Sequence, residues 1–140
     1  MSTGLGREVL QVKASRRGLH EITADVREAV GRIASPETRF VNLFLKHTSA
    51  ALTIQENADP SARHDLELFF ERLVPFHQDG FLHTHEGPDD MPSHIKTVFM
   101  QTSMLIPCDG TQLLLGTWQG VYLWEHRDLA PLRKLIVSAL

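Results

Sequence analysis

Ser103-Met-Leu-Ile-Pro-Cys-Asp-Gly-Thr-Gln-Leu-Leu-Leu115 decides the fold class. Apolar residues stand on both sides of Asp109-Gly110. Asp-Gly between two such runs is the strongest short-range hairpin signal, because both residues tolerate the left-handed backbone of a tight turn. The stretch predicts a strand from Ser103, a turn at Asp109-Gly110 and a return strand over 111–115. The pattern continues outward. Gly116-Thr-Trp-Gln119 separates this hairpin from a strand over 120–127, and a last strand lies near 134–138. Upstream, 7–14 reads as a first strand with Leu10, Val12 and Ala14 on one face, and 18–22 as a second. A third over 40–46 carries Val41, Leu43, Leu45 and then His47 on one face, and 50–55 continues as a fourth.

The helices are fewer. Ile22, Val26, Ala29, Val30 and Ile33 recur at helical spacing around Thr23, which suits an N-cap, and Ser35-Pro36 ends that helix. Asp59-Pro60 starts a second, with Leu66, Phe69, Phe70 and Leu73 expected as its buried stripe. A short third helix is expected after Pro92, with Ile95, Val98 and Phe99 inward. Between the last two, 75–91 reads as a long polar loop carrying Gly80, Gly87 and Pro88, a length usually reserved for functional or disordered segments. The sum is α+β, with about seven or eight short, mostly hairpin-connected antiparallel strands and two or three helices, folded as a β-sandwich or partial barrel.

The chain has 140 residues, room for one domain over 1–140. It is too short for a (β/α)₈ barrel, which needs about 200 residues. Hydrophobic residues at 42% and charged residues at 22% describe a chain that folds round a real core, not a disordered one. Fourteen basic against seventeen acidic residues argue against a nucleic-acid binder, whose footprint is a clustered basic surface. The single Cys108 makes no internal disulfide. Met1–Glu8 lacks a basic-then-apolar leader, and no apolar run is long enough to span a bilayer. The expectation is a cytoplasmic protein.

Histidine stands out, at positions 20, 47, 64, 77, 83, 85, 94 and 126. His47 ends an apolar strand face, followed by Thr48, Ser49 and, further on, Glu56. There it is either a histidine bonded to backbone or a metal ligand or general base. His83-Thr-His85-Glu86-Gly-Pro-Asp89-Asp90-Met-Pro-Ser-His94 packs six candidate ligands into one loop. Imidazoles with carboxylates suit Zn²⁺ or another first-row ion, adjacent aspartates suit Mg²⁺ on a phosphate, and a solvated acidic loop is the plain alternative. Glu125 and Arg127 end the apolar row Val121, Leu123 on one strand face, either as an acid beside an anion clamp or as a salt bridge. Neither a Walker A, a G-x-G-x-x-G nor a G-x-S-x-G motif is present.

Three segments in order carry a resemblance. His47-Thr-Ser-Ala-Ala-Leu-Thr-Ile-Gln-Glu56-Asn-Ala-Asp-Pro60, Glu86-Gly-Pro-Asp-Asp-Met-Pro-Ser-His94-Ile-Lys96 and Leu115-Gly-Thr-Trp-Gln-Gly-Val-Tyr-Leu-Trp-Glu125-His-Arg127 resemble the YjbQ family, often described as secondary thiamine-phosphate synthases. The resemblance covers nearly the whole chain. It implies an antiparallel β-sandwich of α+β class, a homotrimer, and a histidine site near the subunit boundary holding a metal. The matching positions are His47, Glu56, His83, His94, Gly116 to Gln119 and Glu125; His85 and His126 stay outside the ligand set. The implied reaction joins hydroxymethylpyrimidine pyrophosphate to thiazole phosphate and releases pyrophosphate, chemistry usually found on a TIM barrel.

The functional expectation is therefore a metal-assisted enzyme on a small phosphorylated substrate. His47, His83 and His94 would hold a divalent ion, Zn or Mg/Mn. His47, Glu56 and Glu125 would serve as catalytic acid, base or ligand, and Arg127 would steady an anionic group. The ion would neutralise charge on the departing pyrophosphate. The alternatives are a non-catalytic trimeric module that binds a metal or small anion, and a metal-dependent phosphate-ester hydrolase.

Overall fold

The computed structural model describes residues 6–140; Met1–Leu5, part of the stretch expected to carry no secretory leader, lie outside the described residues. In chain order the elements are β1 (Arg7–Val12), β2 (Gly18–Glu21), α1 (Thr23–Ile33), β3 (Phe40–Leu45), β4 (Ala50–Glu56), α2 (Pro60–Leu73), α3 (Asp90–Val98), β5 (Ser103–Asp109), β6 (Gln112–Leu113), β7 (Gln119–Glu125) and β8 (Arg133–Ala139). The fold is α+β. One sheet runs β1-β8-β3-β5-β6 and the other β2-β7-β4, with antiparallel pairing throughout. An isolated bridge between Leu52 and Gln101 ties the two sheets, which close round α1 as a half-barrel. Among the described residues no helix is long and apolar enough to cross a membrane.

The core follows from the alternation in the strands. Val41, Leu43 and Leu45 of β3 meet Leu52, Val121, Leu123, Leu135 and Val137, and α1 lays Val26, Ala29 and Val30 across them. Thr23 is the first residue of α1 and not its N-cap. Its hydroxyl is used elsewhere: it donates to Glu21 Oε2 at 2.8 Å and accepts from the Val121 amide at 2.9 Å, pinning α1 to β7. In the hairpin, Asp109 pairs with Gln112, so the loop is Gly110-Thr111, one residue later than expected. Gly110 supplies the positive φ of 61° that this turn requires. β6 is only two residues long.

Two helices depart from expectation. No residue of α2 is fully buried. Leu66 and Phe70 pack on Leu19, Tyr122 and Trp124, while Phe69 and Leu73 face outward, because α2 is an outer layer over the narrow second sheet. Phe70 meets Trp124 nearly edge-to-face at 5.1 Å between ring centres. α2 also caps the sheet edge: Glu67 Oε1 accepts the Leu19 amide at 2.7 Å, a donor that β2 would otherwise leave unpaired. In α3 the helix starts at Asp90, ahead of Pro92, since proline is tolerated in a first turn whose amides have no intrahelical acceptor. Its buried residues include Asp90, Ser93 and Lys96, while Val98 and Phe99 are exposed. The helix buries a polar face because the surface beneath it supplies polar partners.

The central strand of the second sheet, β7, is buried on both faces and ends at Glu125. Glu125 is 0% exposed, and Arg133 of β8 is 1% exposed. Arg133 Nε donates to Glu125 Oε1 at 2.7 Å and its second nitrogen to Oε2 at 2.5 Å. This bidentate pair links the two sheets at their shared end. Removing one partner leaves a buried charge alone, so Glu125→Gln or Arg133→Met should each cost about 3–5 kcal/mol. The double variant Glu125→Gln/Arg133→Met should cost clearly less than the sum, read from urea unfolding of the parent chain and the three variants. Additive losses would mean the two charges are not coupled.

Candidate functional site

Strand register gathers the chemistry at one end of the small sheet. Glu125 pairs with Gly18 of β2 and Ala50 of β4, so the segments leading into those strands converge on the residues leaving β7. Thr48 and Ser49 arrive from one side, Arg17 from the other, and His126, Arg127 and Asp128 leave from the middle. α3 seats its polar face on this end.

Asp90 is the centre of the arrangement. Its side chain is 2% exposed, yet three donors converge on it. Oδ2 faces His83 Nε2 at 2.6 Å and His94 Nε2 at 3.1 Å, while Oδ1 accepts from Arg127 at 2.5 Å. Burial alone would raise the Asp90 carboxyl. The His83 hydrogen bond, the Arg127 charge and the charge and hydrogen bond of His94 outweigh it, and the group lies below the ordinary aspartate value. Its place in the first turn of α3 adds the positive end of the helix dipole.

His94 decides what the cluster can hold. Its Nδ1 stands 2.7 Å from the Thr48 carbonyl, which can only accept, so Nδ1 carries a proton. Nε2 then faces the Asp90 carboxylate with a lone pair against a lone pair, unless a second proton or a cation stands between them. A histidine that donates its far N–H to a carbonyl while presenting the other nitrogen beside a carboxylate has the outer bonding of a metal ligand. His83, Asp90 and His94 each offer one donor atom, all within 4.8 Å of one another. Donors on a tetrahedral zinc, at bonds of about 2.0–2.1 Å, stand about 3.3 Å apart. The Asp90–His94 separation already matches; His83 would back off by several tenths of an ångström. Two imidazoles with one carboxylate leave a fourth position open, which suits Zn²⁺ better than Mg²⁺.

The other expected site residues are distributed differently. His47 is half-buried on the far side of Thr48; its Nε2 accepts the Lys134 amide at 2.8 Å, and its ring is not part of the His83–Asp90–His94 group. Burial and the nearby Arg133 lower its proton affinity. Glu125 is paired with Arg133. Arg127 is turned toward the acidic loop: besides Asp90 it donates to the Glu86 carbonyl at 2.7 Å and lies 3.3 Å from Asp89. Asp89 in turn accepts the Asp128 amide at 2.7 Å, so the loop is clamped to the exit of β7. Glu56 and Gly116 to Gln119 lie at the opposite end of β4 and β7, where Glu56 pairs with Gln119. Six residues of strand separate them from Glu125, about 20 Å. There Glu56 accepts the Asp59 amide at 3.1 Å and Gln119 Oε1 accepts the Gly116 amide at 2.8 Å.

The family model described as UPF0047 protein YjbQ-like matches residues 8–140. The chain belongs to the YjbQ-like UPF0047 family. Curated relatives include UPF0047 protein sll1880 of Synechocystis, 43% identical over 94% of this chain and 88% of that protein. YjbQ of Escherichia coli O157:H7 is 39% identical over 94% of this chain and 95% of its own length. Among solved structures, the conserved hypothetical protein TT1486 of Thermus thermophilus superposes with a TM-score of 0.84 at 33% identity, covering 95% of this chain and 99% of that one.

In this YjbQ-like chain the residue that sequence reasoning left out of the ligand set is Asp90. The signal was present: Asp90 and His94 stand four apart and share a helix face once the helix begins at Asp90. Starting the helix after Pro92 hid that spacing.

His126 is a different case. Burial, with Lys96, Arg133 and Arg17 nearby, lowers it to about 3, so its ring is neutral, with Nε2 3.2 Å from Met100 Sδ. Zinc titration of the purified chain should show about one site per chain. His83→Ala, Asp90→Asn and His94→Ala should each abolish it, whereas His47→Ala should retain it. Arg127→Gln, which removes the support of Asp90 together with the clamp on Glu86 and Asp89 but no ligand atom, should weaken zinc binding by about ten- to a hundredfold. Undiminished binding in His94→Ala would refute the site.

Proposed function

We propose that this chain is a metal-assisted enzyme acting on a small phosphorylated substrate, with formation of thiamine phosphate as the specific reaction. The observation that supports the metal-assisted part is His94, whose Nδ1–H is committed to Thr48 while Nε2 faces the buried carboxylate of Asp90; the specific reaction rests on the resemblance of the three sequence segments alone. His83, Asp90 and His94 would hold the ion, and Arg127 keeps Asp90 Oδ2 turned toward the two rings. When bound, the ion supplies Lewis-acid stabilisation of charge on a phosphoryl oxygen.

The anionic part of the substrate would lie in an open cavity that borders the cluster only at Thr48. Its wall is largely apolar, from Phe44, Leu45 and Pro131, and Lys46, His47 and Ser49 supply polar groups. His47 accepts a backbone amide at Nε2, so its neutral ring carries the proton at Nδ1 and donates from there. In the proposed reaction the bond between the pyrimidine methylene carbon and oxygen breaks, and pyrophosphate leaves with the electron pair. The thiazole nitrogen lone pair forms the new carbon–nitrogen bond. The second reading, a binding module without turnover, draws on Glu125 and Arg127, whose charges are already engaged inside the protein.

The proposal includes a homotrimer in the cytoplasm. Cys108 is buried and unpaired, in keeping with a reducing compartment. The outer face of the large sheet supports self-association: Val9, Ile136 and Phe44 stand in one cross-strand row, and Phe40 and Leu105 add to the apolar area. Light scattering should give three chains per particle, and Phe44→Glu should shift the mass toward one.

The activity is tested with the two thiamine precursors and zinc. Product should form, and His94→Ala should reduce turnover by at least about a hundredfold in a protein that still folds. Zinc binding with no product would favour the binding module; phosphate release from simple esters, abolished by chelation, would favour a hydrolase.

A further inference from the structure

The segment before α3 encloses a second cavity, of about 220 Å³, walled by Phe81, His83, Pro88, Met91 and Pro92, with Gln78 and Thr84 at its edge. We infer that this cavity is a binding site for a neutral, planar heteroaromatic ring, held beside His83 so that the ring's substituent lies at the metal cluster. This inference rests on the metal reading only for what happens to the substituent; the ring site itself stands on the cavity.

Size sets the first limit. An apolar cavity of about 150 Å³ accommodates benzene, so this one takes a single ring with small substituents. Chemistry sets the second. The walls are an aromatic face, a thioether and two prolines, surfaces that suit a flat π-system. Apart from the imidazoles of His77 and His83, the latter directed at Asp90, the lining has neither a carboxylate, an ammonium nor a guanidinium, so a charged group would find no permanent counter-charge there. Gln78, whose Nε2 already donates to the Pro75 carbonyl at 2.9 Å, offers its amide oxygen, and Thr84 offers a hydroxyl; these match the ring nitrogens and amino hydrogens of a heterocycle better than a plain hydrocarbon.

The backbone is shaped to keep the space open. His77 has φ 54°, in the left-handed region that side chains rarely adopt, and Gly80 and Gly87 follow at 92° and 103°. Phe81 is turned inward and half-buried while its neighbour Leu82 is 92% exposed. The far end of the loop is anchored by Arg127 and by the Asp89 bond to the Asp128 amide, so the arch does not depend on its own contacts. A side chain held in the left-handed region, as at His77, is a feature that clusters at ligand clamps, while Gly80 and Gly87 turn the chain without strain. His83 belongs to both places: it walls the cavity and donates toward Asp90.

The test uses the full chain with carbon-13 methionine methyl groups. Met91 lines the cavity, while Met104 lies in the core and serves as the internal control. 4-Aminopyrimidine is titrated as the neutral ring and benzoate as the charged one. The Met91 methyl should move saturably with 4-aminopyrimidine through the ring current, Met104 should stay, and benzoate should leave both unmoved. Phe81→Leu should weaken binding by about three- to tenfold. If that variant disturbs the fold, seen as a displaced Met104 signal, Gln78→Ala should weaken it instead by removing the edge contact. An unmoved Met91 at the solubility limit, equal binding of benzoate, or unchanged affinity in the soundly folded variant would overturn the inference. Zinc binding is followed separately through the imidazole signals of His83 and His94. Ring binding without zinc binding sinks the metal reading and leaves the ring site standing; zinc binding with Met91 unmoved sinks the ring site alone.

Discussion

The Glu125–Arg133 pair sets the geometry on which everything at this end of the molecule depends. Two charges removed from water cost several kcal/mol each to desolvate, and only close bidentate bonding with the remaining lone pairs satisfied offsets that cost. Both conditions are met: Arg133 bonds both oxygens of Glu125, reaches the Ser49 carbonyl at 3.3 Å, and the Arg127 amide approaches Glu125 Oε2 at 3.2 Å. The pair therefore tolerates little sliding of β7 against β8. It fixes where the chain leaves β7, and with it the direction of the Arg127 side chain two residues later.

Arg127 carries that constraint into the loop. It touches the Glu86 carbonyl and Asp89 in the irregular segment before α3, and Asp90 in the helix's first turn. A helix with Val98 outward and an aspartate, a serine and a lysine inward would be unstable on an apolar surface. Here the inward aspartate meets a guanidinium and two imidazoles, and Lys96 further along the helix meets Glu71 at 2.7 Å. The helix is held by satisfied charge more than by hydrophobic burial. Such a helix keeps donor atoms in fixed directions, which a ligand set needs.

The strands and α1 were legible in the sequence because their information is local. Period-two alternation in Val41, Leu43 and Leu45 and the helical spacing of Val26, Ala29 and Val30 each specify a face without reference to the rest of the chain, and Asp109-Gly110 marks a hairpin whose loop falls one residue further on. α3 was misread for the same reason: periodicity marks Ile95, Val98 and Phe99 as a face, and only a distant Arg127 and Thr48 make the opposite face the buried one. The partner of Glu125 was hidden likewise, since Arg133 lies on a strand of the other sheet. His83 and His94 could be singled out by type and by resemblance, whereas placing them on one carboxylate needed the start of α3 and the path of the loop.

The segments that carry the family resemblance divide into two jobs. Glu56 and Gly116 to Gln119 stand exposed at the end of the sheet away from the cluster, and two of their side chains bond the chain itself. Glu56 bonds the Asp59 amide at the entry to α2, and Gln119 closes the turn by bonding Gly116. Gly120 next to it leaves room for Glu21, whose carboxylate would lie 2.8 Å from a Cβ there, and that carboxylate is the one that holds Thr23. This end fixes the start of β7 and the approach of α1. Because β7 is one continuous strand, fixing its start also fixes the depth at which Glu125 arrives at the other end. The residues at the start of β7 therefore bear on the cluster through the strand between them, in addition to whatever their exposed polar groups contact.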